Sequence, residues 1–231
     1  MRITGIHYGI LRIPLRTPFK TALRTVETIE DVIVRIETDT GHVGYGEAPP
    51  TVAITGDSLE SILEALRGSI GPALLGRDIL AIDGNCQTVQ NAVLKNTSAK
   101  AAAEIALYDL FAQQAGKPLY QVLGGGQPRL ITDLTISAND TATMLYDCES
   151  ALERGFTALK IKVGKDVGDD IARLQAIRRA VAGRASLRID ANQGWSAEQT
   201  ISVMHTLESG GEPFELIEQP VSAEDIQGLI K

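Results

Sequence analysis

The chain has 231 residues, of which 44% are hydrophobic, and 29 acidic against 22 basic side chains give a formal net charge of −7. This length and hydrophobic content are sufficient for one large domain or two smaller ones with real cores. The mildly acidic balance argues against a nucleic-acid or anionic-membrane partner, because such partners favour a basic face.

No apolar run reaches membrane-spanning length, and no charged-then-apolar pattern marks the N-terminus as a leader peptide. The two cysteines, Cys86 and Cys148, lie far apart in helix-like segments and lack metal-type spacing. We therefore expect reduced thiols in a cytoplasmic protein.

The first 125 residues contain β-like patterns followed by helix-like patterns. Residues 2–13 and 30–49 are β-like, and the second stretch predicts a hairpin with its turn at Asp39-Thr40-Gly41. Helical patterns follow over 57–68, with a possible continuation to 75, over about 81–94, and over 98–116. The third is apolar on most faces, which predicts a buried helix.

From residue 130 onward, strand and helix patterns alternate in units of roughly 25 to 30 residues. The predicted strands are 130–138, 157–163, 186–191 and 214–220, and the predicted helices are 141–155, 169–183, 196–211 and 222–231. Four βα units predict a parallel sheet with helices outside it. The sheet could be part of an eight-fold barrel or of a doubly wound open sheet.

Charged residues end the apolar runs of three successive predicted strands. Lys160 and Lys162 lie on the second strand, Asp190 ends the third and Glu218 ends the fourth. The period of two places both lysines on one face, and strands about 4.8 Å apart let the carboxylates converge beside them. Burying any one of these charges alone costs several kcal/mol, so each needs a partner or a metal, and carboxylate oxygens suit Mg²⁺.

Each of these features also has an ordinary structural explanation. A Lys-x-Lys pattern is typical of the solvated face of an edge strand. Asp190-Ala191-Asn192 fits an Asx turn, and Glu218-Gln219-Pro220 fits a plain strand exit. Because all three occur at successive strand ends, we favour one shared site over three coincidences.

Three phrases in this order and spacing, LKIKVG (159–164), RIDANQGW (188–195) and IEQP (217–220), resemble the enolase superfamily in its muconate-lactonising branch. The phrases PFKTALRTVET, GYGEAPPTVAITGDS, SAKAAAEIALYDL and LYQVLGG resemble the dipeptide epimerases of the L-Ala-D/L-Glu type. The resemblance covers essentially the whole chain. It implies an α/β protein with an α+β capping domain over 1–125, followed by the first four βα units of a modified (β/α) TIM-type barrel over 126–231. The active site would lie between them.

The resemblance also implies the chemistry: Mg²⁺-dependent abstraction and return of the proton next to a carboxylate of a dipeptide, through an enediolate. A lysine base beside Mg²⁺ is a known pattern of this superfamily. The enediolate needs preformed positive charge near its oxygens, and a lysine beside another lysine and a cation has a lowered pKa. At full length we expect a homo-oligomer.

By position in the motifs, Lys162 matches the proton-transferring base. Lys160 matches the companion that lowers the pKa of that base and contacts the substrate carboxylate. Asp190 and Glu218 match two metal ligands, and Asn192 lies just beyond the first of them, where it would support the ligands without binding the metal.

Two further residues match substrate contacts of the epimerases. Arg24 matches a loop residue that pairs with a substrate carboxylate, a task that suits the guanidinium fork. Thr135, at the end of the first barrel strand, matches a substrate-contacting position. Without the resemblance, a solvated loop charge is the better interpretation of Arg24.

The chain stops within the fourth βα unit, before the strands that carry the family's third metal carboxylate and second lysine. A sheet cut there would leave two unpaired strand edges. We therefore expect the 231 residues to belong to a longer polypeptide or to be held by a companion chain. The alternatives are a related cycloisomerase, an o-succinylbenzoate synthase, or a non-catalytic truncated half-barrel.

Overall fold

The structure is a computed structural model that describes residues 1–20, 25–126, 129–208 and 213–231. Its contacts divide the chain into two compact units, residues 1–14 with 28–128 and residues 15–27 with 129–231. Residues 15–27 therefore group with the second unit, although they precede most of the first in the sequence.

The first unit combines a three-stranded sheet with helices. Its elements are β1 (Ile3–Lys20, whose last residues belong to the second unit), β2 (Thr25–Thr38), β3 (Val43–Ala48), α1 (Val52–Thr55), α2 (Leu59–Ala65), α3 (Gly71–Leu74), α4 (Ile82–Ala92), α5 (Thr97–Ala115) and α6 (Leu119–Val122). The strand order is β1-β2-β3, and β2 pairs with β3 in the antiparallel sense. The predicted hairpin is thus present.

The helix predicted from residue 57 does not end at Gly68. Ser58 caps α2 by accepting a hydrogen bond from the backbone N–H of Ser61. A π-helical turn over Leu66–Ile70 then carries the chain through Gly68 into α3. A glycine is only a weak helix terminator when the following apolar residues are buried, as Ile70 and Leu74 are here.

Small residues let α5 lie directly against β3. A Cβ at Gly44 would lie 2.3 Å from the carbonyl oxygen of Ala106, and a Cβ at Gly46 would lie 1.9 Å from that of Ala102. No side chain fits at such distances from backbone, so glycine is required at both positions. The prediction of a buried third helix is confirmed, because Ala99, Ala102, Ala103, Ala106, Leu107 and Leu110 are all buried.

The second unit is built on a four-stranded parallel sheet. Its elements are β4 (Leu134–Ile136), α7 (Thr141–Glu153), β5 (Ala158–Lys162), α8 (Val167–Val181), β6 (Ser186–Asp190), α9 (Ala197–Glu208), β7 (Leu216–Glu218) and α10 (Ile226–Ile230). The spatial order β4-β5-β6-β7 follows the chain order without a reversal. This arrangement is that of a partial TIM-type barrel and not of a doubly wound sheet, which has a reversal point.

Alternation along the strands separates two faces of this sheet. Leu159, Ile161 and Ile189 belong to a buried apolar cluster that includes Leu174 and Ile177 of α8. Because successive strand residues point to opposite faces, Lys160, Lys162, Arg188 and Asp190 lie on the face away from that cluster. None of the helices in the described ranges is long and apolar enough to cross a membrane.

Candidate active site

Parallel pairing brings the charged residues of three strands side by side. Lys162 on β5 lies opposite Asp190 on β6, and Asp190 lies opposite Glu218 on β7. These are the last residue pairs of the two strand pairings, and they lie at the carboxyl ends of the strands, where α/β barrels carry their catalytic groups. On the other side of β5, Thr135 of β4 lies opposite Lys160 and is half-buried.

The two ammonium groups are held by shared carboxylates. Lys162 Nζ donates to Asp190 Oδ2 at 2.5 Å and to Asn192 Oδ1 at 3.0 Å. Lys160 Nζ lies 2.9 Å from Asp190 Oδ2 and 2.7 Å from Glu218 Oε2. Asp190 is fully buried and Lys162 is only 6% exposed. The edge-strand explanation of Lys-x-Lys is therefore wrong: β5 is paired on both sides, and its lysines point into a charged cluster.

The cluster shifts the pKa values of Asp190 and Lys160. Burial alone raises the pKa of Asp190, but hydrogen bonds from Lys162, Lys160 and the backbone N–H of Asn192 outweigh it and lower that pKa below its usual range. Burial alone lowers the pKa of Lys160, but its hydrogen bonds to Glu218 and Asp190 outweigh it and raise that pKa. In this arrangement the carboxylates keep Lys160 charged.

The loops that follow β6 and β7 are locked to each other. Asn192 N–H donates to Asp190 Oδ1 at 2.9 Å, so the Asx turn is present and forms part of the site. Gln193 N–H donates to the carbonyl of Gln219 at 2.8 Å, and the side chain of Gln193 accepts from Ala223 N–H at 2.8 Å. Asn192, Gln193 and Gln219 all have positive φ, at 47°, 66° and 36°.

Two charged residues of the second unit make contacts that were not predicted from the sequence. Arg188, two residues before Asp190 on the same face, binds Asp133 at 2.9 Å and Glu215 at 2.8 Å and so ties β6 to the starts of β4 and β7. The alternation of side chains in RID, which places Arg188 on the same face as Asp190, could have predicted the position of Arg188. Lys20 Nζ donates to Asn139 Oδ1 at 2.8 Å, a long-range contact that no local pattern reveals.

Arg24, the other predicted substrate contact, lies outside the described residues. The predicted start of the last helix at residue 222, with Ser222 as its cap, is wrong, because α10 begins after Asp225, whose side chain accepts from Gly228 N–H.

The donor set fits a hard divalent cation. Asp190 Oδ2 and Glu218 Oε2 converge on the single ammonium of Lys160, so the two carboxylates face one cation-sized position. Carboxylate oxygens are the ligands that Mg²⁺ prefers. Within the described ranges, no group of three His, Cys, Asp or Glu side chains is arranged to hold a metal, so the two carboxylates form a partial ligand set.

Two family models match the chain. The N-terminal domain of mandelate racemase / muconate lactonizing enzyme matches residues 8–124, and the enolase C-terminal domain-like model matches residues 143–231. The L-Ala-D/L-Glu epimerase of Bacillus subtilis (strain 168) is 49% identical over 232 residues, which cover 100% of this chain and 63% of that protein.

Solved structures show the same similarity. A substrate-liganded complex of the L-Ala-D/L-Glu epimerase from Bacillus subtilis has a TM-score of 0.96 at 49% identity and covers 99% of this chain and 64% of that one. A dipeptide epimerase from Enterococcus faecalis V583, complexed with Mg and the dipeptide L-Leu-L-Tyr, has a TM-score of 0.94 at 39% identity, with coverage of 99% and 64%. The chain thus spans a little under two thirds of the length of these relatives. The matched domains, the strand-end cluster and these similarities agree: the chain belongs to the mandelate racemase / muconate lactonizing enzyme family of the enolase superfamily.

Proposed function

We propose that the full-length protein is a Mg²⁺-dependent dipeptide epimerase of the L-Ala-D/L-Glu type, which removes and returns the proton next to a carboxylate. The observation that carries the proposal is the cluster of Lys160, Lys162, Asp190 and Glu218 at the carboxyl ends of three parallel strands. The similarity to dipeptide epimerases, including one complexed with Mg and a dipeptide, supports it.

Lys162 is the proposed base. Its Nζ must be neutral to accept the α-proton, and the resulting ammonium has two acceptors already in place, Asp190 Oδ2 and Asn192 Oδ1. These two acceptors hold the ammonium group in place after proton abstraction. Return of the proton to the opposite face needs a second acid–base group, which the family resemblance places on a later strand.

Asp190 and Glu218 are the proposed holders of the cation, because their oxygens converge on one position. A bound Mg²⁺ supplies positive charge that stabilises the developing negative charge of the substrate carboxylate. Lys160, beside both carboxylates and opposite Thr135, is the proposed contact for that carboxylate. Asn192 accepts a hydrogen bond from Lys162, and the turn at Asp190 fixes the position of Asn192.

We propose Arg24 and Thr135 as substrate contacts. The arginine would pair with the side-chain carboxylate of an acidic second residue. A cytoplasmic location and a homo-oligomeric state are likewise proposed from the sequence. The two cysteines are free thiols in the structure, which supports the first, and size-exclusion chromatography with light scattering tests the second.

Proton exchange in deuterated water tests the function. The full-length protein is incubated with L-Ala-L-Glu and Mg²⁺ in D₂O, and the α-proton signal of the glutamate residue is followed by NMR while polarimetry follows epimer formation. We expect loss of the signal together with the second epimer, and loss of both activities with excess chelator. Absence of exchange from a panel of dipeptides, with turnover of a muconate or an o-succinylbenzoate precursor, would instead favour the cycloisomerase or synthase alternatives.

A further inference from the structure

Asp170, in the first turn of α8, is a fully buried carboxylate to which none of the roles above applies. Its Oδ2 accepts hydrogen bonds from Gly164 N–H at 2.8 Å and from Trp195 Nε1–H at 3.1 Å. Its Oδ1 accepts from Arg173 at 2.7 Å. A carboxylate taken out of water is tolerated only when such donors replace its hydration, and the three bonds together offset the cost of its burial.

The first two donors come from the loops that carry the site. Gly164 follows Lys162 by two residues at the end of β5, and Trp195 follows Asn192 by three residues after β6. One oxygen of Asp170 therefore joins the loop after β5 to the loop after β6, next to the bonds from Lys162 to Asp190 and Asn192.

The same two loops touch backbone to backbone. A Cβ at Gly164 would lie 2.2 Å from the carbonyl oxygen of Ala191, and a Cβ at Gly194 would lie 2.2 Å from that of Gly164. Gly164 also has a φ of +100°, which side chains rarely tolerate. Gly164 and Gly194 thus permit the contact, and Asp170 accepts the hydrogen bonds that hold it.

We propose that Asp170 is a positioning residue, which fixes the loop after β5 against the loop after β6 and so keeps Lys162 in register with Asp190 and Asn192. The catalytic side of this inference rests on the proposed function. Its physical basis is that reactive groups must be held to within about 0.5 Å by supporting hydrogen bonds, since small displacements cost large factors in rate.

A purely structural role makes a different prediction. An acidic residue in the first turn of a helix is favourable with the helix dipole, and the pair with Arg173 is local to α8. If Asp170 only stabilised α8, its replacement would lower the stability of the protein. It would then change Mg²⁺ affinity and proton exchange no more than another substitution that destabilises α8 equally.

The test compares Asp170→Asn with Ile177→Ala in the full-length protein. An amide cannot accept at both positions, so Asp170→Asn loses either the loop bonds or the bond from Arg173. Ile177 is fully buried on the same helix, and its truncation destabilises α8 by leaving a cavity and not by changing a hydrogen bond to either loop. Melting temperature, Mg²⁺ affinity by calorimetry and α-proton exchange are measured for both variants.

We expect Asp170→Asn to weaken Mg²⁺ binding about tenfold or more and to slow exchange by about 10- to 100-fold, the range for residues that support metal ligands. Ile177→Ala should lower the melting temperature but keep both values within about twofold. Equal effects of the two variants on Mg²⁺ affinity, or no effect of Asp170→Asn, would overturn the proposal.

Trp195→Phe provides a second test if Asp170→Asn does not fold. It removes one donor to Asp170 and keeps an aromatic ring in the core, so we expect Mg²⁺ affinity to fall severalfold in a folded protein. An unchanged affinity would count against the proposal. If the unsubstituted protein exchanged no dipeptide proton, the proposed function would fail, and the Mg²⁺ affinities alone would still decide the role of Asp170.

Discussion

Lys162 and Asp190 face each other across the parallel ladder of β5 and β6, and the ammonium of Lys162 lies 2.5 Å from a carboxylate oxygen that also binds Lys160. Asp190 therefore keeps one cationic partner when either lysine is removed. This redundancy allows each lysine to be substituted without leaving a buried, unpaired charge.

Lys162→Ala should slow α-proton exchange from one epimer of the substrate by about 10²-fold or more, because the proposed base is lost. We expect the protein to remain folded, since Lys160 and the N–H of Asn192 still bind Asp190. Exchange is measured separately for each epimer in D₂O. The exposed Lys117→Ala is the matched control, and unchanged exchange from both epimers would remove Lys162 from the mechanism.

Asp190→Asn and Glu218→Gln should weaken Mg²⁺ binding and activity together, each by about tenfold or more, because each removes a charged oxygen ligand. The loss of stability should be larger for Asp190, which is fully buried, than for Glu218, whose side chain is 46% exposed. Glu224→Gln, on an exposed carboxylate six residues later, is the control and should leave Mg²⁺ affinity unchanged. Full activity after chelator treatment would refute the role of the metal.

Arg24→Ala should raise KM more for dipeptides with an acidic second residue than for those with a neutral one. The reason is that a guanidinium pairs with a carboxylate and gains little from an apolar side chain. Arg16→Ala, which removes an exposed arginine eight residues earlier in the sequence, serves as the control. Equal changes in KM for both substrate classes would show that Arg24 does not contact the second residue.

Cys148 should be the slower of the two thiols to react with iodoacetamide. Burial, with smaller contributions from Asp147 and Glu149, raises the pKa of the Cys148 thiol to about 12, so the reactive thiolate is scarce there at pH 9. Burial also raises the pKa of Cys86, which is only half-buried. Peptide mapping by mass spectrometry assigns the label, and faster labelling of Cys148 would contradict the core position.

The raised pKa of Cys148 also determines how the free energy of unfolding changes with pH. The folded protein holds Cys148 as a neutral thiol, whereas the unfolded chain ionises it above about pH 8.5. Its contribution to the free energy of unfolding is therefore complete below that pH and is lost as the pH rises towards 12. Urea titrations at pH 7 and pH 10 should show a larger drop for the unsubstituted protein than for Cys148→Ala.

Gly46→Ala should destabilise the first unit by at least about 2 kcal/mol, because the added methyl meets backbone that a rotamer change does not move. Gly9→Ala is the control, since a Cβ there meets nothing within 4 Å. Urea unfolding measures both. A Gly46→Ala protein as stable as the unsubstituted one would mean that α5 can shift away from β3 at little cost.

Much of the second unit was predictable because its signals are local. The alternation in LKIK and RID specifies which residues face the helices, and chain order alone specifies a parallel sheet once helices intervene. The bonds of Asp170 to Gly164 and Trp195 were not predictable, because they depend on how two loops and the first turn of α8 meet in space. The course of the chain at Gly68 was not predictable either. Glycine favours the end of a helix there, but the burial of Ile70 outweighs that preference, and a local stretch of sequence does not show the burial.

The left-handed backbone of Asn192, Gln193 and Gln219 has a consequence for anyone who engineers this protein for heat tolerance. Residues with side chains in that conformation cost about 1–3 kcal/mol each, and glycine would relieve most of that cost. Yet Gln193 and Asn192 use their side chains to join loops and to hold Lys162. Glycine at these positions would relax the backbone but remove those hydrogen bonds, so a screen that selects on heat resistance alone would not detect variants in which Lys162 is less firmly held.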